Sequence, residues 1–290
     1  MNKIKDYGSL IRVRQWIKNM FVFSPLVFSK NFLNINDWKL IVLTFFGFSM
    51  IASSSYILND ILDKGKDKHH PEKKNRPLPS GRITITEAII LFCLTFSLGV
   101  LINIMVNIKV FFVSITYFLL IFMYSTFLKK IVIIDIITIA IGFDLRAMAG
   151  AVAINVTLSQ WLIVDLFLLA LFLAATKRRQ ELLKLSHAEQ HKKVLDYYSL
   201  PLLDQIIPIL TSTTLLSYII YTLSDKVKEY FKTDYFYLSI PFVIYGIFRY
   251  LFIIYKEDTY GDPTKILVKD IPLLLDLFLW GVSIVLIIYL

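Results

Sequence analysis

Residues 38–81 read WKLIVLTFFGFSMIASSSYILNDILDKGKDKHHPEKKNRPLPSG, an apolar span that passes directly into a dense patch of charge. The first part, residues 38–58, is long enough as a helix to cross a hydrocarbon layer. If that helix continues through Asn59, steps of three and four residues bring Asp60, Asp63 and Asp67 onto one face, with Asn59 beside them. Like charges so close repel unless a cation intervenes, and hard oxygen donors suit Mg²⁺, which keeps water and phosphate oxygens as its other ligands. The spacing therefore points to a Mg²⁺-diphosphate site. Lys73, Lys74 and Arg76, followed by Pro77, Pro79 and Gly81, read as a turn-rich basic loop able to fold back over the same phosphates. The plain alternative is a solvated charged loop between two membrane spans. Helical carboxylate spacing followed at once by a basic clamp favours the site.

The rest of the chain has the composition of a scaffold for this stretch. Its 290 residues are 57% hydrophobic and 15% aromatic, with mean hydropathy +0.65, which predicts an all-α integral membrane protein rather than a soluble domain. Apolar runs near residues 20–34, 38–58, 84–106, 110–128, 131–153, 158–176, 202–223, 236–255 and 271–290 predict about nine transmembrane helices. Pro25 and Pro208 mark places where the first and seventh would kink or shorten. Residues 1–290 read as one transmembrane domain with motif loops at about 59–83 and 177–200.

A net charge of +9 raises the question of nucleic acid, but the cations sit in loops beside apolar runs, where anionic headgroups and membrane orientation explain them. The basic segments at the N-terminus, at 64–82, at Lys129 and Lys130 and at 177–193 all fall on one side if there are nine spans and a cytoplasmic N-terminus. No cleavable signal is expected, because the N-terminal cations are not followed by an apolar stretch leading to a small-residue site. Residues 7–19 read as an interfacial segment, with Arg12, Arg14 and Lys18 at headgroup level and Trp16 as an anchor. The single cysteine, Cys93, excludes an intramolecular disulfide and reads as a small, inert core residue.

A second polar centre follows the sixth apolar run. In TKRRQELLKL, Lys177 and Glu181 share a helical face with Arg178 at its edge. Taken alone this is an interface anchor with a helical ion pair; its position after a span, like that of the aspartate loop, makes a shared substrate role as reasonable. Lys129 reads either as a phosphate contact or as a snorkelling lysine. Asp135 should face the bundle interior. Arg146 lies on nearly the same helical face about 16 Å further along, too far to share one phosphate, and reads as a structural or interhelix partner. Asp144, on the opposite face, reads as a bond to another helix. His69, His70, His187 and His191 show no zinc-site spacing.

The pattern NDxxDxxxD with a basic, RP-containing loop on such a chain resembles the UbiA superfamily of intramembrane prenyltransferases. RVRQWIKN, FSPLVFS, HPEKKNRPLPSG, YSTFLKK, GFDLRAMAGAVA, KRRQEL, FRYLF and KDIPLLLDLFLW are similar to the decaprenyl-phosphate phosphoribosyltransferase branch, over nearly the whole chain. The resemblance implies a UbiA-like bundle in a bacterial-type plasma membrane. It also implies a Mg²⁺-dependent transfer of 5-phosphoribose from phosphoribosyl diphosphate to a polyprenyl phosphate, releasing diphosphate. By position, Asp60, Asp63 and Asp67 match the metal motif, with Asn59 beside it, and Lys73 and Arg76 its basic continuation. Lys18, Lys129, Lys177, Arg178 and Glu181 match other substrate-binding positions. Val13, where a proline is common, and Asp144 depart from the pattern without touching the metal motif. Many aromatic-prenylating relatives carry a second aspartate-rich motif where this chain has Lys177, Arg178 and Glu181, and cations there lower repulsion between two anionic substrates. The alternatives are a UbiA-type prenyltransferase using a prenyl diphosphate with an aromatic or other small acceptor, and a transporter or lipid-binding protein whose aspartates bind a coupling cation. Nucleic acid is not an expected partner, and a homo-oligomer is left open.

Overall fold

In the computed structural model, residues 3–68, 73–185, 195, 197–256, 266 and 269–289 are described. Among them there is no strand, and eight helical segments are long and apolar enough to cross a membrane. The protein is an integral membrane protein built of helices. Its elements are α1 (Lys3–Ile11), α2 (Ser24–Phe28), α3 (Ile35–Asp67), α4 (Ile85–Val106), α5 (Ile108–Thr126), α6 (Ile134–Ala153), α7 (Gln160–Leu185), α8 (Leu200–Leu223), α9 (Asp225–Phe231), α10 (Ile240–Lys256) and α11 (Ile271–Tyr289). The chain divides into two compact units. The first holds Met1–Lys129 and Gly142–Leu158, the second Lys130–Ile141 and Ser159–Leu290.

The first unit is organised on α3, whose 33 residues carry the helix well beyond its apolar part to Asp67. Asn34 caps its start by accepting the Asn36 N–H. α4 starts on a capping box, Thr84 with Glu87, and lies closely against α3 through Gly47 and Gly99. Cys93 is exposed on α4, not in the core as expected, because the small residue at the α3 contact is Gly99.

The span expected at 20–34 is not a single α-helix. Residues Val13–Phe23 form a 3-10 helix and Ser24–Phe28 a short α-helix, with Pro25 at its start, where the missing N–H costs nothing. Eleven residues at 3-10 rise extend about 22 Å. Contacts with α3 run in reverse order: Arg12 with Asp60, Trp16 with Ser53, Asn19 with Ser49, and Phe23 and Phe32 with Trp38. The segment therefore follows α3 antiparallel along most of its length. Trp16 is not a surface anchor; its Nε1 donates to Ser53 Oγ across 3.0 Å and its ring meets the edges of Phe45 and Phe46.

The second unit packs Phe172 and Ala175 of α7 with Ile207 of α8, Ile253 and Ile254 of α10 and Leu273 of α11. α8 continues unbroken through Pro208. The four histidines considered above, and most of the loops at 186–194 and 257–268, lie outside the described residues.

Candidate active site

The first polar centre lies at the end of α3. Its basic loop is held by apolar burial: Leu78 and Ile83 are fully covered by Leu10, Ile57 and Ala88. Gly81, with φ +77, supplies the left-handed turn that brings the chain back towards α4. Arg82 bonds Asp6 and Lys3 bonds Glu87, which fastens α1 to the same loop. This fixes Arg76 over the aspartates. Its Nη1 donates to Asp60 Oδ1 at 3.1 Å and to Asp67 Oδ2 at 2.9 Å. Lys73 Nζ lies 3.4 Å from Asp67 Oδ1, and Lys129 Nζ donates to Asp63 Oδ2 at 2.8 Å.

Arg12, expected from the sequence at headgroup level, completes the centre instead. Its Nη2 donates to Asp60 Oδ1 at 2.5 Å, and its guanidinium lies 5.0 Å over the Tyr56 ring. The residue occupies the left-handed backbone region, φ +57, at the joint between α1 and the 3-10 helix. Arg12 is visible in the sequence as the first residue of RVRQWIKN; its partner, 48 residues away, is not. Asn59 is half-buried and lines a narrow cleft with Ser55, Leu58, Phe118, Phe122 and Ser125. Lys18 is half-buried on the 3-10 helix.

Three carboxylates on one helix face are the hard donors that a divalent cation requires, and Asp60 and Asp67 are withdrawn from solvent. The donor set fits Mg²⁺. Among the described residues, no three His, Cys, Asp or Glu side chains stand together as a metal cage, since each motif carboxylate is turned to a basic side chain.

The second polar centre lies in the second unit. Arg178 is 2% exposed and Asp135 0%, and Arg178 Nε donates to Asp135 Oδ2 at 2.7 Å. Tyr198 donates to the other oxygen of Asp135 at 2.7 Å and accepts the Ile133 N–H at 2.8 Å. Ile133 holds φ +69, a conformation rare for a β-branched residue and kept here by its bond to Tyr198. Arg178 Nη1 also donates to Glu181 Oε2 at 2.5 Å, so the ion pair at this helix end is between Arg178 and Glu181, at a spacing of three. Lys177 is half-buried and makes no ion pair among the described residues. Burial, and then the neighbouring Asp135 carboxylate, push the Tyr198 hydroxyl above its ordinary value.

Deeper in the first unit, Arg146 has the structural role expected of it. It donates to Asn19 Oδ1, the Gly142 carbonyl and the Tyr117 hydroxyl, beneath the Tyr117 and Phe143 rings. Asn19 in turn donates to Ser49, so the 3-10 helix is fastened to α3 and α6 at one point. Among the described residues Asp144 bonds no other helix; its Oδ1 is buried without a hydrogen-bond partner.

An aspartate face under basic side chains at the end of a long membrane helix, with a separate arginine-carboxylate network on α7, defines a helical membrane protein with two charged centres suited to anionic ligands. The sequence matches the UbiA prenyltransferase family over residues 32–282, and the chain belongs to that family. It is 29% identical over 281 residues to a decaprenyl-phosphate phosphoribosyltransferase of Mycolicibacterium smegmatis, covering 93% of this chain and 88% of that one. It is 26% identical over 282 residues to the enzyme of the same description from Mycobacterium tuberculosis, covering 93% and 89%. It also resembles an uncharacterised protein, y4nM, of Sinorhizobium fredii, at 29% identity over 62% of this chain and only 35% of that longer protein. A UbiA homologue from Archaeoglobus fulgidus, solved with DMAPP and Mg²⁺, superposes with a TM-score of 0.72 over 97% of this chain and 99% of that one, at 18% identity. The fold is that of the UbiA family.

Proposed function

We propose that the protein transfers 5-phosphoribose from phosphoribosyl diphosphate to a polyprenyl phosphate at the cytoplasmic face of a bacterial plasma membrane, releasing diphosphate. The observation that carries the proposal is the pairing of every motif aspartate with a basic side chain, in a chain whose second motif holds Lys177 and Arg178 instead of further aspartates. Both features favour a reaction between two phosphate-bearing substrates. Similarity over most of the chain to the mycobacterial phosphoribosyltransferases supports the same choice.

Asp60, Asp63 and Asp67 would hold Mg²⁺, which supplies Lewis-acid stabilisation of the departing diphosphate. Arg76, Lys73, Lys129 and Arg12 bind the diphosphate oxygens, and Asn59 and Lys18 also contact substrate. Lys177 binds the lipid phosphate. Arg178 and Glu181 orient that centre, held in turn by Asp135 and Tyr198. A lipid phosphate oxygen, already anionic near neutral pH, attacks the anomeric carbon. The bond from that carbon to the diphosphate oxygen breaks, and its electron pair leaves with the diphosphate. No strong base is required, so positioning supplies much of the rate.

The purified chain, incubated with Mg²⁺, ribose-labelled phosphoribosyl diphosphate and a polyprenyl phosphate, is expected to move label into the organic phase. Turnover of a prenyl diphosphate with an aromatic acceptor, and no labelled lipid, would replace the proposal with aromatic prenylation. Flux of substrate through proteoliposomes without diphosphate release would point to transport.

A further inference from the structure

Among the described residues, the charges of the first polar centre nearly cancel without any metal. Asp60, Asp63 and Asp67 supply three carboxylates, and Arg12, Arg76, Lys73 and Lys129 supply four cations in contact with them. A bare divalent cation entering here would add two positive charges to a centre that already carries a slight excess. It would also have to displace guanidinium and ammonium groups that are partly desolvated and would be left without a counter-charge. A diphosphate arriving with the metal removes both obstacles. It brings several negative charges, and its oxygens are acceptors for the cations that the aspartates give up.

From this balance we propose that the centre takes up its divalent metal only together with a diphosphate, and that Lys129 and Arg12 are the exchange residues. They hold Asp63 and Asp60 before the substrate enters and turn to phosphate oxygens afterwards. The inference rests on the metal-diphosphate role given to the aspartates above. Lys129 suits exchange because an ammonium on a flexible four-carbon stem is a point charge with no fixed fork to rebuild. Arg12 suits it for a different reason. Its guanidinium lies over the Tyr56 ring at 5.0 Å, a contact that keeps the cation in place whichever anion it faces. Asp60, which accepts from both Arg12 and Arg76, keeps one partner while the other moves.

The test is equilibrium dialysis of Mn²⁺ against the full chain in phosphatidylcholine nanodiscs, with and without inorganic diphosphate. Excess metal on the protein side is the readout, so catalysis is not involved. Wild type is expected to retain Mn²⁺ at least about tenfold more tightly when diphosphate is present. Lys129→Met should bind Mn²⁺ alone about tenfold more tightly than wild type and gain less from diphosphate, because the competing cation is gone. Lys129→Gln should repeat that change, and Lys129→Arg should restore wild-type behaviour, a pattern that general unfolding would not produce. Asp63→Asn should lose the diphosphate-dependent retention. Equal retention by wild type in both arms overturns the exchange. So does a Lys129→Met protein that matches wild type in both arms while Asp63→Asn loses retention, and in that case the metal role of the aspartates stands. Unchanged retention by Asp63→Asn removes the metal role itself and the exchange with it.

Discussion

Arg178 Nε reaches Asp135 Oδ2 across 2.7 Å at a place where both side chains are almost wholly withdrawn from solvent. Both oxygens of the acid are in use, since Tyr198 donates to the other. A buried pair of this kind adds little against a well-packed apolar pair, but breaking it strands a charge. Asp135→Ala should therefore cost about 3–5 kcal/mol, seen as a large drop in melting temperature of the detergent-solubilised protein. The double variant Asp135→Leu with Arg178→Met should recover part of that loss. Equal melting of Asp135→Ala and wild type would contradict the network.

Asp63 is expected to matter for turnover and not for folding. Its partner among the described residues, Lys129, is a partly exposed cation at 2.8 Å, and pairs that keep some contact with water contribute about 1 kcal/mol. Asp63→Asn should reduce turnover at least about 100-fold while the melting temperature stays within a few degrees. Near-normal turnover would take Asp63 out of the diphosphate site.

The α3-α4 contact depends on having no side chain at Gly99. A Cβ there would lie 2.9 Å from the Gly47 carbonyl oxygen and 2.8 Å from Ile51 Cγ1. Ile51 can yield, but the backbone carbonyl cannot. Gly99→Ala should destabilise the protein by about 1–3 kcal/mol, and the same change at the open Gly281 should cost far less. Similar melting of the two variants would show that the helices part without penalty.

Asp270 gives a pH prediction outside the membrane spans. Hydrogen bonds from Arg249, 3.1 and 2.8 Å long, hold its carboxyl below the ordinary 3.8, helped by the Leu273 N–H. With the folded value depressed, the carboxylate stabilises the fold above the unfolded value and loses that contribution as pH falls through the folded one. Melting temperature should therefore fall as pH drops below about 4, and Arg249→Met should lack most of that step. A step of the same size in both proteins would assign it to another carboxylate.

Much of this arrangement was open to sequence reading, for identifiable reasons. Membrane helices announce themselves through long apolar runs, and a helix that outlasts its apolar part displays Asp60, Asp63 and Asp67 at fixed angular steps. Arg76 was within reach because proline and glycine mark the turn that returns it. Arg12 was not, since its carboxylate partner is 48 residues distant and nothing local distinguishes it from the cations beside it. Tyr198 was equally hidden, being an ordinary loop tyrosine until its hydroxyl meets Asp135, 63 residues away. The first span misled because hydropathy cannot separate an α-helix from a 3-10 run, and the difference rests on Pro25 and on the tight contacts of Asn19 and Trp16 with α3.

The most direct measurement of the proposed chemistry follows both sides of the bond that breaks. Phosphoribosyl diphosphate labelled separately in the 5-phosphate and in the terminal phosphate of the diphosphate is incubated with the purified chain, Mg²⁺ and a polyprenyl phosphate. The 5-phosphate label should enter the lipid phase and the terminal label should remain in water as diphosphate, in equal amounts and only when the lipid phosphate is present. Both labels in water with no labelled lipid, or release of diphosphate that does not depend on the lipid phosphate, would contradict phosphoribosyl transfer.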